Sequence, residues 1–282
     1  MKHIMELVGK TRVTVVDGKV VSVEDPVLEW CPIFAKYRDI QKITPEEVKK
    51  NIEFRIKDFG LFTKNRKLDG FDDFVSFGAS EVMYTGLEHG LLDTTVTVCD
   101  GAGTVVTSNP ELVQGMGGRM SGLVYTEPIV ETINAIEERD GYVVDKETAK
   151  IDPKSGLKYA IDAGFNKIAV TVSKAEDLIE FRNLAKEKNV DLILIGVHTT
   201  GITQKEAKLF EEYSDICTLC ASSTLRETKP LLQVGSAVPL VAYTQAGKEL
   251  LLERAKYVKA PLMVTGSKLP FLPEEKQPYT MS

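Results

Sequence analysis

The residues of this chain that could do chemistry stand where apolar runs end. In "VTVCDGAGTVVTSNPELVQGMGGRMSG", residues 96–122, a strand-like stretch closes on Cys99 and Asp100. It then opens into Gly101, Gly103, Gly115, Gly117, Gly118 and Gly122, with Arg119 near the end. Glycine lets backbone amides approach a ligand closely, and consecutive amides make a nest for an anion. Arginine adds a planar fork suited to phosphate or carboxylate. The segment therefore reads as an anion-binding loop, with Gly101, Gly103, Thr104, Gly117, Gly118, Arg119 and Ser121 as its contacts. Neither glycine run is G-x-G-x-x-G leading into a long helix, and no Walker lysine follows, so no standard nucleotide fingerprint is met.

A second group follows later strands: His198-Thr199-Thr200-Gly201 after "DLILIGV", and Cys220-Ala221-Ser222-Ser223 after "DICTL", with Ser173 and Thr244 at comparable exits. Ligands of parallel α/β sheets sit at the carboxyl ends of the strands. On that rule Cys99 or Cys220 is a nucleophile or ligand, with Asp100 beside the first, and His198 is the acid/base group or a second ligand. Thr199, Thr200 and Ser222 complete the set of contacts. A thiol at a helix N-terminus would have its thiolate favoured. The plainer readings stand beside these. Ser173, Thr203 and Thr224 occupy helix-cap positions, and a hydrogen-bonded structural histidine is as common as a catalytic one. Cys217 and Cys220 have metal-like spacing, but residues three apart in a strand face opposite ways, so both could grip one ion only if the strand ended between them. There is no second C-x-x-C, and a metal or iron–sulfur site would draw on Cys31, Cys99, Cys220 and His89.

The elements that must position these groups are legible in part. "RVTVVDGKVVSVEDP" reads as a hairpin turning on Asp17-Gly18. "ITPEEVKKNIEFRIKDFG" reads as a helix capped by Thr44 with Glu47, carrying Pro45 at its first position and ended by Gly60. "ASEVMYTGLEHGLL" reads as a short helix before the Cys99 strand, and Thr126 and Pro128 start another that stops before Gly141. Beyond a polar linker at about 145–156, "KIAVTV", "DLILIGV", "DICTLC" and "VPLVAY" alternate with amphipathic helices, and "APLMVTG" offers a fifth strand. Continuous apolar strands alternating with helices call for a parallel sheet covered on both faces. The expected fold is thus α/β: residues 1–145 form a mixed α+β half with a β-hairpin start, and residues 155–282 form a parallel, Rossmann-like half.

A chain of 282 residues with 43% apolar and 27% charged residues can bury a core without disulfides. Its net charge of −6 has both signs interspersed, which excludes the basic stripe of a duplex nucleic-acid binder. No apolar run reaches the length of a membrane helix and no signal-peptide core opens the sequence, so a cytoplasmic protein, in which an oligomer is possible, is expected. Four cysteines are too few for a disulfide scaffold.

"CDGAGTVVTSNPELVQGMGGRMSGLVYTEPI", "IAVTV", "VHTTG" and "ASSTLRE" together resemble the methanogenesis marker protein 8 family, of archaea and some anaerobic bacteria. The likeness runs from "EWCPIF" to "VPLVAYTQAGKELLLERA". It implies cysteines at the positions of Cys31, Cys99 and Cys220, with Cys217 departing from the pattern. Ser223 stands where the family often has lysine, so no role of that lysine carries over. The resemblance implies a place in anaerobic one-carbon metabolism, as an enzyme or as a factor in the assembly of its enzymes and cofactors. Joined to the residue reading, it gives an expected function: binding of an anionic small molecule or cofactor in a cleft between the halves. A metal carrier, or a non-catalytic partner within a larger protein complex, is the alternative.

Overall fold

A computed structural model describes residues 1–31, 34–36, 39–69, 75–235, 239–264, 266 and 268–271. Strands β1 (Lys2–Glu6), β2 (Arg12–Val16) and β3 (Lys19–Val23) come first, followed by helix α1 (Pro45–Phe59). Next are α2 (Ala79–Glu88), β4 (Thr94–Cys99), β5 (Gly103–Thr107) and α3 (Pro110–Gly117). Strand β6 (Gly122–Thr126), helix α4 (Val130–Glu137) and strand β7 (Gly141–Val143) lead to α5 (Pro153–Asp162). The chain then alternates β8 (Lys167–Val172), α6 (Asp177–Lys188), β9 (Asp191–Gly196), α7 (Gln204–Tyr213) and β10 (Ile216–Thr218). It closes with β11 (Leu232–Val234), β12 (Leu240–Ala242) and α8 (Gln245–Ala255).

Local chemistry accounts for many of these bounds. Asp17 and Gly18 both take positive φ, 49° and 71°, as a two-residue hairpin turn requires. Thr44 accepts from the Glu47 amide at the start of α1, and Gly60 at φ 68° ends that helix. Thr203 and Glu206 form the full capping box of α7. Two expected caps are corrected. Helix α6 begins at Asp177 with no side-chain cap, leaving Ser173 exposed, and Thr224 is the first residue of a 3-10 turn rather than its cap. Thr126 ends a strand and Gly141 begins one, so α4 is shorter than its cap signals suggest.

The large sheet has the order β11-β12-β10-β9-β8-β4-β5-β7. Strands β4, β8, β9 and β10 are parallel, and the chain crosses them in one direction without the reversal that makes a doubly wound switch point. Strand β12 runs antiparallel to β10, so the sheet is mixed where a fourth parallel strand was expected. The sheet also crosses the expected boundary at 145–156: β4, β5 and β7 precede it and β8 follows, paired to β4. Residues Ala260–Val264 and Gly266 form no strand, and Thr265 lies outside the described residues.

Helices α5, α6 and α7 cover one face, where Leu157, Phe181 and Phe210 pack on Val96, Val170 and Leu194. Helices α2, α3 and α8 cover the other, through Met83, Val113 and Leu251 on Ala169 and Ile195. Phe181 and Phe210 are 1% and 0% exposed, and truncating either to alanine would cost about 3–5 kcal/mol. The second sheet, β3-β2-β1-β6, buries Met5, Val13 and Val15 against Val48 and Ile52 of α1. Ala221, just past β10, belongs to this second core. That single assignment places the small sheet over the carboxyl edge of the large one. No helix among the described residues is long and apolar enough to cross a membrane.

Candidate functional site

The parallel strands bring Cys99, Val172, Gly196 and Thr218 to one edge of the large sheet. The segments nominated from the sequence do meet there, but the small sheet divides them into a sealed part and an open rim.

The sealed part is the turn between β4 and β5. Asp100 is fully buried, accepting from Arg66 Nε at 2.8 Å and from the Phe62 amide at 2.6 Å. The Arg66 side chain is equally buried and donates onward to the carbonyls of Gly115 and Met116 at the end of α3. Cys99 is fully buried beside this pair, and burial first, then the Asp100 charge, pushes its thiol well above the usual range. Gly101 and Gly103 take positive φ, 78° and 71°, and a Cβ on Gly103 would stand 2.2 Å from the Ala149 carbonyl. The Gly101 amide donates to Thr126 Oγ1 at 2.7 Å, and that hydroxyl also meets His3 Nδ1 at 2.7 Å. Thr104 accepts from the Asp152 amide. Each polar group that was read as a ligand contact here is engaged within the protein.

The other end of the glycine-rich segment is a helix end. Gly117 closes α3, and a Cβ on it would lie 2.8 Å from that of Ser80; Gly118 caps the helix. Arg119 lies over the Phe59 ring at 4.5 Å. Arg55 donates to the Arg119 carbonyl and to Ser121 Oγ.

The open rim is built from the exits of β9 and β10 against β1 and β6. His198 Nε2 meets Glu6 Oε2 at 2.5 Å, with side-chain exposures of 24% and 17%. Opposite Glu6 in the strand register is Gly122, and a Cβ there would fall 2.4–2.6 Å from three atoms of the His198 ring. Only bare backbone fits beneath the imidazole. The hydrogen bond from His198 holds the Glu6 carboxyl below its ordinary range, outweighing burial, with Lys10 and Arg12 adding to the effect. Lys10 Nζ donates to the Thr200 carbonyl at 2.8 Å. Thr199, fully buried, donates to the Thr218 carbonyl, and the Gly201 amide donates to the Ala221 carbonyl, so the two strand exits are laced together. Ser222 is spent as a turn cap, accepting from the Leu225 amide. Cys220 remains part-exposed, its thiol 3.5 Å from Thr218 Oγ1. Both His198 and Cys220 have positive φ, 57° and 36°, a conformation that costs energy in residues with a Cβ and that recurs at functional positions.

With Nε2 engaged by Glu6, the other ring nitrogen of His198, Nδ1, makes no hydrogen bond among the described residues. Glu6 is a rim residue that the sequence reading missed, and Gly122, the last residue of the glycine-rich segment, was not among its expected contacts; only the β1–β6 pairing brings the two to His198.

The metal candidates do not gather. No group of three or more His, Cys, Asp or Glu side chains among the described residues is placed to hold an ion. His89 stacks on Tyr257 at the end of α2, with ring centroids 4.2 Å apart. Cys31 packs part-buried on the core of the small sheet, and Cys217 is sealed in β10. Two surface hollows lie elsewhere: one of about 360 Å³ between the β2–β3 hairpin and α1, and one of about 150 Å³ beside Asn51 and Phe54.

Comparison with known proteins places the chain in a family. Residues 3–256 match the model described as "Uncharacterized protein conserved in archaea (DUF2099)". The uncharacterized protein MJ0054 of Methanocaldococcus jannaschii is 47% identical over 258 residues, covering 90% of this chain and 91% of that protein. The chain belongs to this conserved archaeal family.

Proposed function

We propose that the chain binds an anionic small molecule at the rim of Glu6, Lys10, His198 and Cys220, and acts on it as an enzyme or maturation factor of anaerobic one-carbon metabolism. One observation carries the reading: the His198 ring is clamped between a carboxylate and bare backbone, at a strand exit laced to the one that carries a part-exposed thiol. A structural histidine needs a partner, but it does not need a glycine floor, a left-handed backbone and an unengaged Nδ1 as well. Glu6 fixes the ring and its tautomer, His198 Nδ1 moves the proton, Cys220 supplies the nucleophile, and Lys10 draws the anion. Cys99 and Asp100 support the edge from below rather than meeting the ligand. The resemblance to the methanogenesis marker family and the relative from Methanocaldococcus support the metabolic setting.

The test compares two alkylating reagents on the purified chain, anionic iodoacetate and neutral iodoacetamide, with Cys220 followed by mass spectrometry. A thiol in an anion-attracting rim reacts with iodoacetate several-fold faster, relative to iodoacetamide, than glutathione does. That preference should fall in Lys10→Ala and His198→Gln. A ratio at Cys220 equal to that of glutathione discards the proposal.

A further inference from the structure

We infer that the buried acceptor cluster of Glu81, Gln114 and Ser80, between the first turn of α2 and the last turn of α3, is a binding site for a monovalent metal cation, K⁺ or Na⁺. Glu81 is 2% exposed, Gln114 3% and Ser80 6%. The Glu81 carboxylate accepts from Gln114 Nε2 at 3.2 Å and from Ser80 Oγ at 3.0 Å, and it forms no ion pair among the described residues. It contrasts with the other buried acid of this region, Asp100, which is matched by a buried arginine.

A second, separate observation points the same way. Gln114 Oε1, buried on the amide whose nitrogen already faces Glu81, has no donor among the described residues. Turning that amide over would set its oxygen against the carboxylate, so its orientation is fixed. The cluster therefore has more acceptors than donors, while a buried charge is normally paired or coordinated and a buried carbonyl normally bonded. Neither α2 nor α3 supplies a donor to Gln114 Oε1 among the described residues. Carboxylate, amide and hydroxyl oxygens make a hard donor set. A single formal charge among neutral oxygens suits a monovalent ion, since sites for divalent ions usually recruit several carboxylates.

The packing holds the oxygens together. A Cβ on Gly78 would fall 2.3 Å from Glu81 Oε2, and Gly117 lets α3 close on Ser80. From Gly117 the chain runs through Arg119 and Ser121 to Gly122, the floor under His198, so the ion would anchor the segment that shapes the rim.

Thermal melts of the whole chain in KCl, NaCl and choline chloride at equal ionic strength, with a MgCl₂ arm, test the assignment. K⁺ or Na⁺ should raise Tm saturably over choline, by roughly 5 °C at about a hundred times the dissociation constant. Glu81→Gln should lose that rise. Crystals of the wild-type chain soaked in Tl⁺ should show one anomalous peak between Glu81, Gln114 and Ser80, a readout independent of whether the variant folds. Equal Tm in all the monovalent salts, a rise with Mg²⁺ alone, an undiminished rise in Glu81→Gln, or a water with no anomalous signal at that position would each overturn it.

Discussion

Asp100→Asn separates a structural from a catalytic Asp100 more sharply than any other single change. The replacement is isosteric, so packing is preserved while the charge is lost. Asp100 and the Arg66 side chain are both fully buried. The guanidinium cannot swing out to water, because it is also held by the carbonyls of Lys67, Gly115 and Met116. Neutralising the acid strands a buried cation, which costs about 3–5 kcal/mol. The new amide nitrogen must also face either the Phe62 N–H or Arg66 Nε, donor against donor, for about 1–3 kcal/mol. These two costs overlap, so a total of about 4–6 kcal/mol is expected, which for a chain of this size lowers Tm by about 10 °C or more. Scanning calorimetry measures this directly. A cycle with Arg66→Met should show coupling, the double variant losing about 2–3 kcal/mol less than the sum of the singles. An Asp100→Asn protein melting within about 2 °C of wild type would refute the buried-pair argument and return Asp100 to the list of groups that touch ligand.

Other outcomes follow from the same geometry. Thiol labelling of the native chain should reach Cys220 and Cys31 first and leave Cys99 and Cys217 protected until denaturation, because burial raises the pKa of both sealed thiols; mass spectrometry of the labelled peptides reads this. Burial holds the His3 imidazole below its ordinary 6.5, against the pull of the Asp100, Glu127 and Asp17 carboxylates. The unfolded chain therefore takes up a proton that the folded chain refuses, and stability falls as pH drops below 6.5, by at most about 1.4 kcal/mol per pH unit. Urea melts of His3→Gln should lack that slope, whereas stability owed to Glu6, whose carboxyl is held below 4.5, is present above that pH and is lost only as pH falls through the lowered value. Gly122→Ala should push the His198 ring off Glu6, changing its ¹⁵N imidazole shifts and abolishing the iodoacetate preference of Cys220, with a smaller loss of Tm than Asp100→Asn.

What the sequence discloses and what it hides divide along physical lines. The β2–β3 turn is legible because Asp17 and Gly18 declare their backbone angles through residue type alone. The starts of α1 and α7 are legible because Thr44 and Thr203 cap them within three residues. Helix α3 was hidden inside a run of glycines read as a loop, although Asn109 and Pro110 are a cap and a first-turn residue of the usual kind, and Asn109 accepts from the Leu112 amide. The direction of β12 and the continuity of the sheet across 145–156 depend on pairing between distant strands, about which a short apolar run says nothing. Glu6 is hidden for the same reason: its partner His198 is 192 positions away.

The exit of a parallel strand tells where a side chain emerges, not whether it reaches solvent. At the carboxyl edge four exits are equivalent by topology, yet they differ in chemistry because the second sheet lies across them unevenly. Over β4 it sets Thr126 and His3 directly on the turn, so Gly101 spends its amide on a hydroxyl, and Cys99 is left in a medium where a thiolate is unfavourable. Over β9 it arrives with Gly122, which has no side chain to fill the space, and with Glu6, which gives the imidazole a charge to hold. Over β10 it buries Ala221 in its core but leaves Cys220, one residue earlier, part-exposed with its backbone turned into the left-handed region. The glycine beneath the proposed rim is thus neither of the pair nearest the cysteine: Gly101 and Gly103 make a tight turn, and Gly122 makes room for His198. Counting glycines locates the edge; asking what a Cβ would strike at each separates the turn from the floor of the rim.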